Sequence, residues 1–119
     1  MKYQSALAQV KDGELLRWFI DLAANYNPPS SIRLSNSFKS CRTTIWISYQ
    51  NGVFECDSDG RISLGIVYML INTVSDMSVE QIKSLTIQDF GYIMKRLSMD
   101  NKKILQASLN KIKKLVDKH

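Results

Sequence analysis

The hydrophobic pattern of this chain switches from helical spacing to strict alternation and back, and the switches mark its elements. In Glu14-Leu15-Leu16-Arg17-Trp18-Phe19-Ile20-Asp21-Leu22-Ala23 the apolar residues recur at helical spacing. This predicts a helix capped by Asp12 that stops ahead of Pro28-Pro29. The two prolines and Ser30-Ser31 read as a surface connection. Ser31-Ile32-Arg33-Leu34 reads either as a short edge strand or as an extended lead into the polar stretch Ser35-Asn36-Ser37. Alternation begins at Thr43-Thr44-Ile45-Trp46-Ile47-Ser48-Tyr49 and resumes after Asn51-Gly52, a pair that tolerates positive φ at both positions and closes two-residue hairpins. Folding about that turn pairs Tyr49 with Phe54, Ile47 with Cys56 and Trp46 with Asp57. Ile45, Ile47, Tyr49, Phe54 and Cys56 then share one face, and Ser48, Glu55 and Asp57 the other.

Beyond the hairpin the period returns to helical. Asp57-Ser58-Asp59-Gly60 marks a helix start, with Ser58 or Asp59 placed to accept from free backbone donors and the carboxylates at the positive end of the dipole. The stretch from Gly60 to about Asn72 is apolar nearly all round, which predicts a central helix buried against the sheet. Ser78-Val79-Glu80-Gln81 fits a capping box, Thr86-Ile87-Gln88-Asp89 another start, and Asp100 a cap for the last helix. In that helix Ile104, Leu105, Leu109, Ile112, Leu115 and Val116 form an apolar stripe. Trp46, opposite Ile45 and Ile47, is expected to pack under a helix. The order is a helix, two or three antiparallel strands, then several helices on one side of them. That is the α+β class, and residues 1–119 are read as one domain.

Composition changes this picture little. The net charge of +5 comes from 16 Lys and Arg against 11 Asp and Glu, with Lys95, Arg96, Lys102, Lys103, Lys111, Lys113, Lys114 and Lys118 gathered toward the C-terminus. Such a footprint invites nucleic acid. The lysines fall on the wet face of an amphipathic helix, however, and no aromatic side chain is interleaved with them as a base-stacking platform. An acidic protein partner fits the same charge, and nucleic acid is not the expected ligand. The longest apolar stretch, Ile66-Val67-Tyr68-Met69-Leu70-Ile71, is far below the roughly 20 residues of a membrane helix, and no signal pattern opens the chain. A soluble cytoplasmic protein is expected.

The residues exclude several chemistries. His119 is the one histidine and the last residue, so a cysteine–histidine or serine–histidine pair would rest on a chain end. Two separated cysteines without an internal histidine supply no zinc or iron–sulfur site. Asp57 and Asp59 are explained as helix-cap residues without general acid–base work, and there is no glycine-rich phosphate loop. No resident cofactor is expected.

What remains is Cys41, in a polar turn just ahead of the alternating strand. Cys56 counts into the core, and Cys41 lies several extended residues away, roughly 15 Å at the usual rise, too far for a disulfide. Two thiols that cannot meet fit a reducing compartment. Cys41 is open to two readings: a small buried hydrophobe, or a displayed thiol able to attack another sulfur, a reaction needing only access and a moderate pKa. Lys39 and Arg42 flank it with charge favourable to a thiolate, while Asp57 and Asp59 act in the opposite direction.

The stretch Phe38-Lys39-Ser40-Cys41-Arg42-Thr43-Thr44-Ile45-Trp46-Ile47, followed by Phe54-Glu55-Cys56-Asp57-Ser58-Asp59-Gly60-Arg61-Ile62-Ser63-Leu64-Gly65-Ile66, resembles the SufE family of sulfur acceptors, which includes CsdE. The resemblance runs from about Leu16 to Val116. It implies a partner of a pyridoxal-phosphate cysteine desulfurase of the SufS or CsdA kind, whose persulfide sulfur Cys41 accepts and passes on to a sulfur recipient or an iron–sulfur scaffold protein. Lys39, Ser40, Arg42, Thr43, Asp57, Asp59, Lys102 and Lys103 are then the expected partner-binding and loop residues. The chain departs from the family pattern twice. Ser40-Cys41-Arg42-Thr43 stands where Gly-Cys-Gln-Ser is usual, and Asn101-Lys102-Lys103-Ile104-Leu105 stands where an Arg and then Asn-Gly-Leu are usual. The alternative reading is a noncatalytic module that binds a desulfurase or another protein and has lost sulfur transfer.

Overall fold

The computed structural model describes residues 1–118; His119, and with it any pairing of that histidine with a cysteine, lies outside the described residues. A short helix α1 (Gln4–Ala8) and a 3₁₀ turn (Asp12–Glu14) lead into α2 (Leu15–Leu22). Asp12 does not cap α2. Its carboxylate instead accepts from Arg96 Nε at 2.8 Å, and the same guanidinium donates to the carbonyls of Leu7 and Val10. One side chain thus satisfies the loose end of α1, because the planar arginine fork spreads its N–H donors toward three separate acceptors.

Residues Ser30–Leu34 form a second 3₁₀ turn, neither an edge strand nor an extended lead. The sheet follows, in order β1 (Ser37–Ser40), β2 (Thr43–Gln50), β3 (Val53–Ser58), all antiparallel. The β2–β3 register is Tyr49↔Phe54, Ile47↔Cys56 and Trp46↔Asp57. Asn51 and Gly52 hold φ of 54° and 77°, the two left-handed residues of a type I′ turn, whose twist matches that of the strands. Ile45, Ile47, Phe54 and Cys56 are buried on the inner face.

Against that face lie α3 (Arg61–Ser75) and the long α6 (Met99–Asp117). Helix α3 runs to Ser75, past Asn72, and buries residues on nearly every side, including Ile66, Val67, Met69, Leu70 and Val74. Gly65 allows α2 to approach: a Cβ there would sit 2.2 Å from the Phe19 carbonyl oxygen. Between α3 and α6 the chain makes α4 (Val79–Ser84), a 3₁₀ turn (Ile87–Phe90) and α5 (Gly91–Met94). The Ser78 hydroxyl accepts the Gln81 N–H at 3.1 Å and the Gln81 amide accepts the Ser78 N–H at 2.8 Å, completing the predicted capping box. The Thr86 N–H bonds the Asp89 carboxylate at 2.9 Å. Helix α6 is capped by Ser98, which accepts the Asn101 N–H at 3.3 Å, and not by Asp100, which falls within the first turn. Its buried stripe is Ile104, Leu105, Leu109, Ile112 and Val116, so one core joins all the elements in a single α+β domain.

Candidate functional site

Strand β1 was legible only as a polar stretch, yet it sets the position of the thiol. It pairs Phe38 with Ile45 and Ser40 with Thr43, so Cys41 and Arg42 are the two central residues of a second tight hairpin turn. Both are left-handed, with φ of 51° and 72°, again the type I′ arrangement. Neither residue is glycine or asparagine, so each holds this conformation at a steric cost of about 1–2 kcal/mol. Ser40 is buried at the end of β1 and Thr43 is half-buried, whereas Cys41 and Arg42 project into solvent. Cys41 is a free, exposed thiol; Cys56 is free and fully buried. Burial pushes the Cys56 thiol up to about 12 from its ordinary 9.0, which keeps it protonated and unreactive.

The two carboxylates beside the hairpin serve the sheet and not a helix cap. Asp59 extends the β2–β3 ladder: its carboxylate accepts the Thr44 N–H at 3.1 Å, and its own N–H donates to the Thr44 carbonyl at 3.2 Å. This double bond pair anchors β2 two residues after Arg42. Asp57 accepts the Ser58 N–H at 2.8 Å and Arg33 Nε at 2.8 Å. The Arg33 guanidinium lies 4.3 Å from the Trp46 ring centroid, a cation–π contact on the outer face of the sheet. Trp46 is therefore covered by a side chain of the 3₁₀ turn and not by a helix. The cap of α3 is Gly60, with no side-chain bond in that role. Ser58 does accept the Gly60 N–H, at 3.3 Å, and its hydroxyl is 2.6 Å from that of Ser63.

Lys102 and Lys103 fall near the start of α6 and line, with Ser40, Met94, Met99 and Ala107, a largely apolar groove of about 460 Å³. The sequence-predicted residues thus form two sets. Lys39, Ser40, Cys41, Arg42 and Thr43 make the hairpin end, with Ser40 linking it to Lys102 and Lys103. Asp57 and Asp59 support the base of that hairpin from β3 and its extension. Sequence reasoning missed Arg33, Met94 and Met99. Met99 is 66% exposed, and a large apolar side chain in the first turn of a helix, next to a cap, is the signal that was available for it.

The arrangement permits nucleophilic sulfur chemistry at Cys41. Among the described residues there is no group of three or more His, Cys, Asp or Glu able to hold a metal ion, and no helix long and apolar enough to cross a membrane. A displayed thiol on a three-stranded sheet backed by helices defines a small thiol-bearing α+β protein. The model of the SufE family, the Fe-S metabolism associated domain, matches residues 2–116, and the chain belongs to that family. Its role accordingly lies in iron–sulfur metabolism. No curated protein matches the chain.

Proposed function

We propose that the protein is a sulfur acceptor: Cys41 takes persulfide sulfur from a pyridoxal-phosphate cysteine desulfurase, raises the turnover of that enzyme, and hands the sulfur to a recipient in iron–sulfur cluster assembly. The observation that carries this reading is the free thiol of Cys41 at the tip of the β1–β2 turn, in a chain of the SufE family. The Cys41 thiolate attacks the outer sulfur of the desulfurase persulfide. A new sulfur–sulfur bond forms on Cys41, the old one breaks, and the desulfurase cysteine leaves as a thiolate. One sulfur atom moves with no net oxidation or reduction, so no further reactant is required. Delivery repeats the step with Cys41 as the donor. Both cysteines are free, which suits the reducing cytoplasm we assign to the protein.

A second reading has its own observation. Cys41 and Arg42 sit in a two-residue turn between paired strands, where the family sequence offers a glycine before the cysteine, so the thiol has little room to retract. A docking module that no longer carries sulfur would tolerate such a turn. Steady-state desulfurase turnover with wild-type and Cys41→Ser protein separates the two. The carrier reading expects stimulation by wild type and none by Cys41→Ser despite binding; equal stimulation by both would leave only the docking module.

A further inference from the structure

The two edges of the sheet are finished differently. Across a two-residue turn the flanking residues exchange both ladder hydrogen bonds, the next pair exchanges none, and the alternation continues along the strands. Counted from Gln50↔Val53, this turns the backbone N–H and C=O of Cys56 outward on the β3 edge. Both are satisfied: the Tyr26 hydroxyl donates to the Cys56 carbonyl at 3.0 Å and accepts the Cys56 N–H at 3.1 Å. The Ser58 N–H, also outward, is taken by Asp57 at 2.8 Å. Among the described residues the N–H and C=O of Phe54, outward by the same count, have no partner, so side chains close the β3 edge at the Cys56 groups and the Ser58 N–H, a partial defence against stray strand pairing.

Counted from Ser40↔Thr43, the same rule turns Ser37 and Lys39 outward on the β1 edge. Thr44, the partner of Lys39, correspondingly faces away from β1 and bonds Asp59 through both of its backbone groups. Among the described residues no backbone or side-chain group bonds the main-chain N–H or C=O of Ser37 or Lys39. This open edge leads directly into Cys41. On its inner side it borders the apolar groove of Met94, Met99 and Ala107. That groove shares Met94 and Lys102 with a second one of about 360 Å³ that reaches Ile87 and Lys95. No carboxylate lines either groove, whereas Lys95, Lys102 and Lys103 do, and Lys39 stands on the outer face of the edge itself.

We propose that β1 accepts an extended segment of the sulfur-donating protein as a fourth strand. The segment bonds the outward groups of Ser37 and Lys39 and lies alongside Cys41. Successive side chains of an added strand point to opposite faces. Those beside Phe38 and Ser40 enter the methionine-lined groove and are apolar. Those beside Lys39, and those at the lysine rim, are acidic. The identity of the partner as a desulfurase rests on the carrier reading; the strand addition rests on the unpaired edge, the groove and its charge.

Amide hydrogen exchange of the ¹⁵N-labelled full chain, alone and with a pyridoxal-phosphate cysteine desulfurase from the same source, tests this. The expected result is new protection of the Ser37 and Lys39 amides in the complex, while Phe38 and Ser40, already bonded to β2, change little. Lys39→Pro removes an outward N–H without breaking the β1–β2 ladder, and is expected to bind about fivefold more weakly than Lys39→Ala, which loses only the charge. A complex that loads sulfur on Cys41 while the Ser37 and Lys39 amides exchange as in the free protein would overturn the strand addition and leave the carrier reading standing. Protection of both amides without sulfur on Cys41 would do the reverse. Absence of any complex would overturn both. Protection that appears in the protein alone and grows with its concentration would assign the edge to a second copy of the chain and also overturn the proposal.

Discussion

Replacing Arg42 with glycine should stabilise this protein, although it removes the larger side chain from a strained turn that carries the thiol. Arg42 holds φ at 72°, and for an L-residue this conformation costs about 1–2 kcal/mol. Glycine adopts it freely but loses about 0.5–1 kcal/mol more chain entropy on folding. Among the described residues Arg42 makes no hydrogen bond or ion pair, and it is exposed, so truncating it sacrifices no contact of weight. The balance is a gain of about 0.5–1 kcal/mol, or about 3 °C in Tm for a domain of this size. Urea denaturation of Arg42→Gly and wild type, with Arg42→Val as the opposite control, measures it. Valine is β-branched and tolerates the left-handed region poorly, so it should lose about 1 kcal/mol. A loss of stability in Arg42→Gly, or an Arg42→Val protein as stable as wild type, would refute the assignment of a type I′ turn at Cys41-Arg42.

Gly65→Ala should cost about 2 kcal/mol, since the new Cβ would meet the Phe19 carbonyl carbon at 2.5 Å and oxygen at 2.2 Å and force α2 away; thermal unfolding that matches wild type would contradict the close approach. The buried Cys56 thiol ionises near 12 when folded and near 9.0 when unfolded. The unfolded chain therefore binds fewer protons across that window, and stability is intact below about pH 9 and falls as pH rises through it. Between pH 8 and 10.5 the loss is about 2 kcal/mol, and the raised pKa of Tyr26, also caused by burial, adds in the same direction; urea titrations in which Cys56→Ala shows the same pH slope as wild type would count against it. Iodoacetamide at neutral pH should label Cys41 in the native protein and reach Cys56 only on unfolding, as peptide mapping would reveal; equal labelling of both would contradict the burial of Cys56.

How much of this was legible in the sequence varied with how local the determinants are. The β2–β3 register followed from Asn51-Gly52 because the turn residues and the flanking alternation both demand the same pairing. Strand β1 was not legible as a strand: Ser37-Phe38-Lys39-Ser40 has one apolar residue, and its turn, Cys41-Arg42, contains none of the residues that favour positive φ. It forms because Phe38 sits across from Ile45 over the core. Asp57 and Asp59 stand where cap residues stand, but one is claimed by Arg33 from 24 positions upstream and the other by the backbone of Thr44. Asp100 and Ser98 are both good caps, and local propensity does not choose between them; the helix starts at Met99, so Ser98 holds the position. The groove beside Ser40 escaped because its walls come from β1, α5 and α6, and only the fold brings Ser40 beside Met94 and Met99.

The central claim is that Cys41 receives sulfur, and intact and peptide mass spectra under nonreducing conditions test it most directly. The reduced protein is incubated with free cysteine and an active pyridoxal-phosphate desulfurase from the same source. The expected result is a gain of about one sulfur atom, mapped to Cys41, absent from Cys56 and reversed by reductant. An unmodified Cys41 beside a desulfurase that is demonstrably turning over would contradict it.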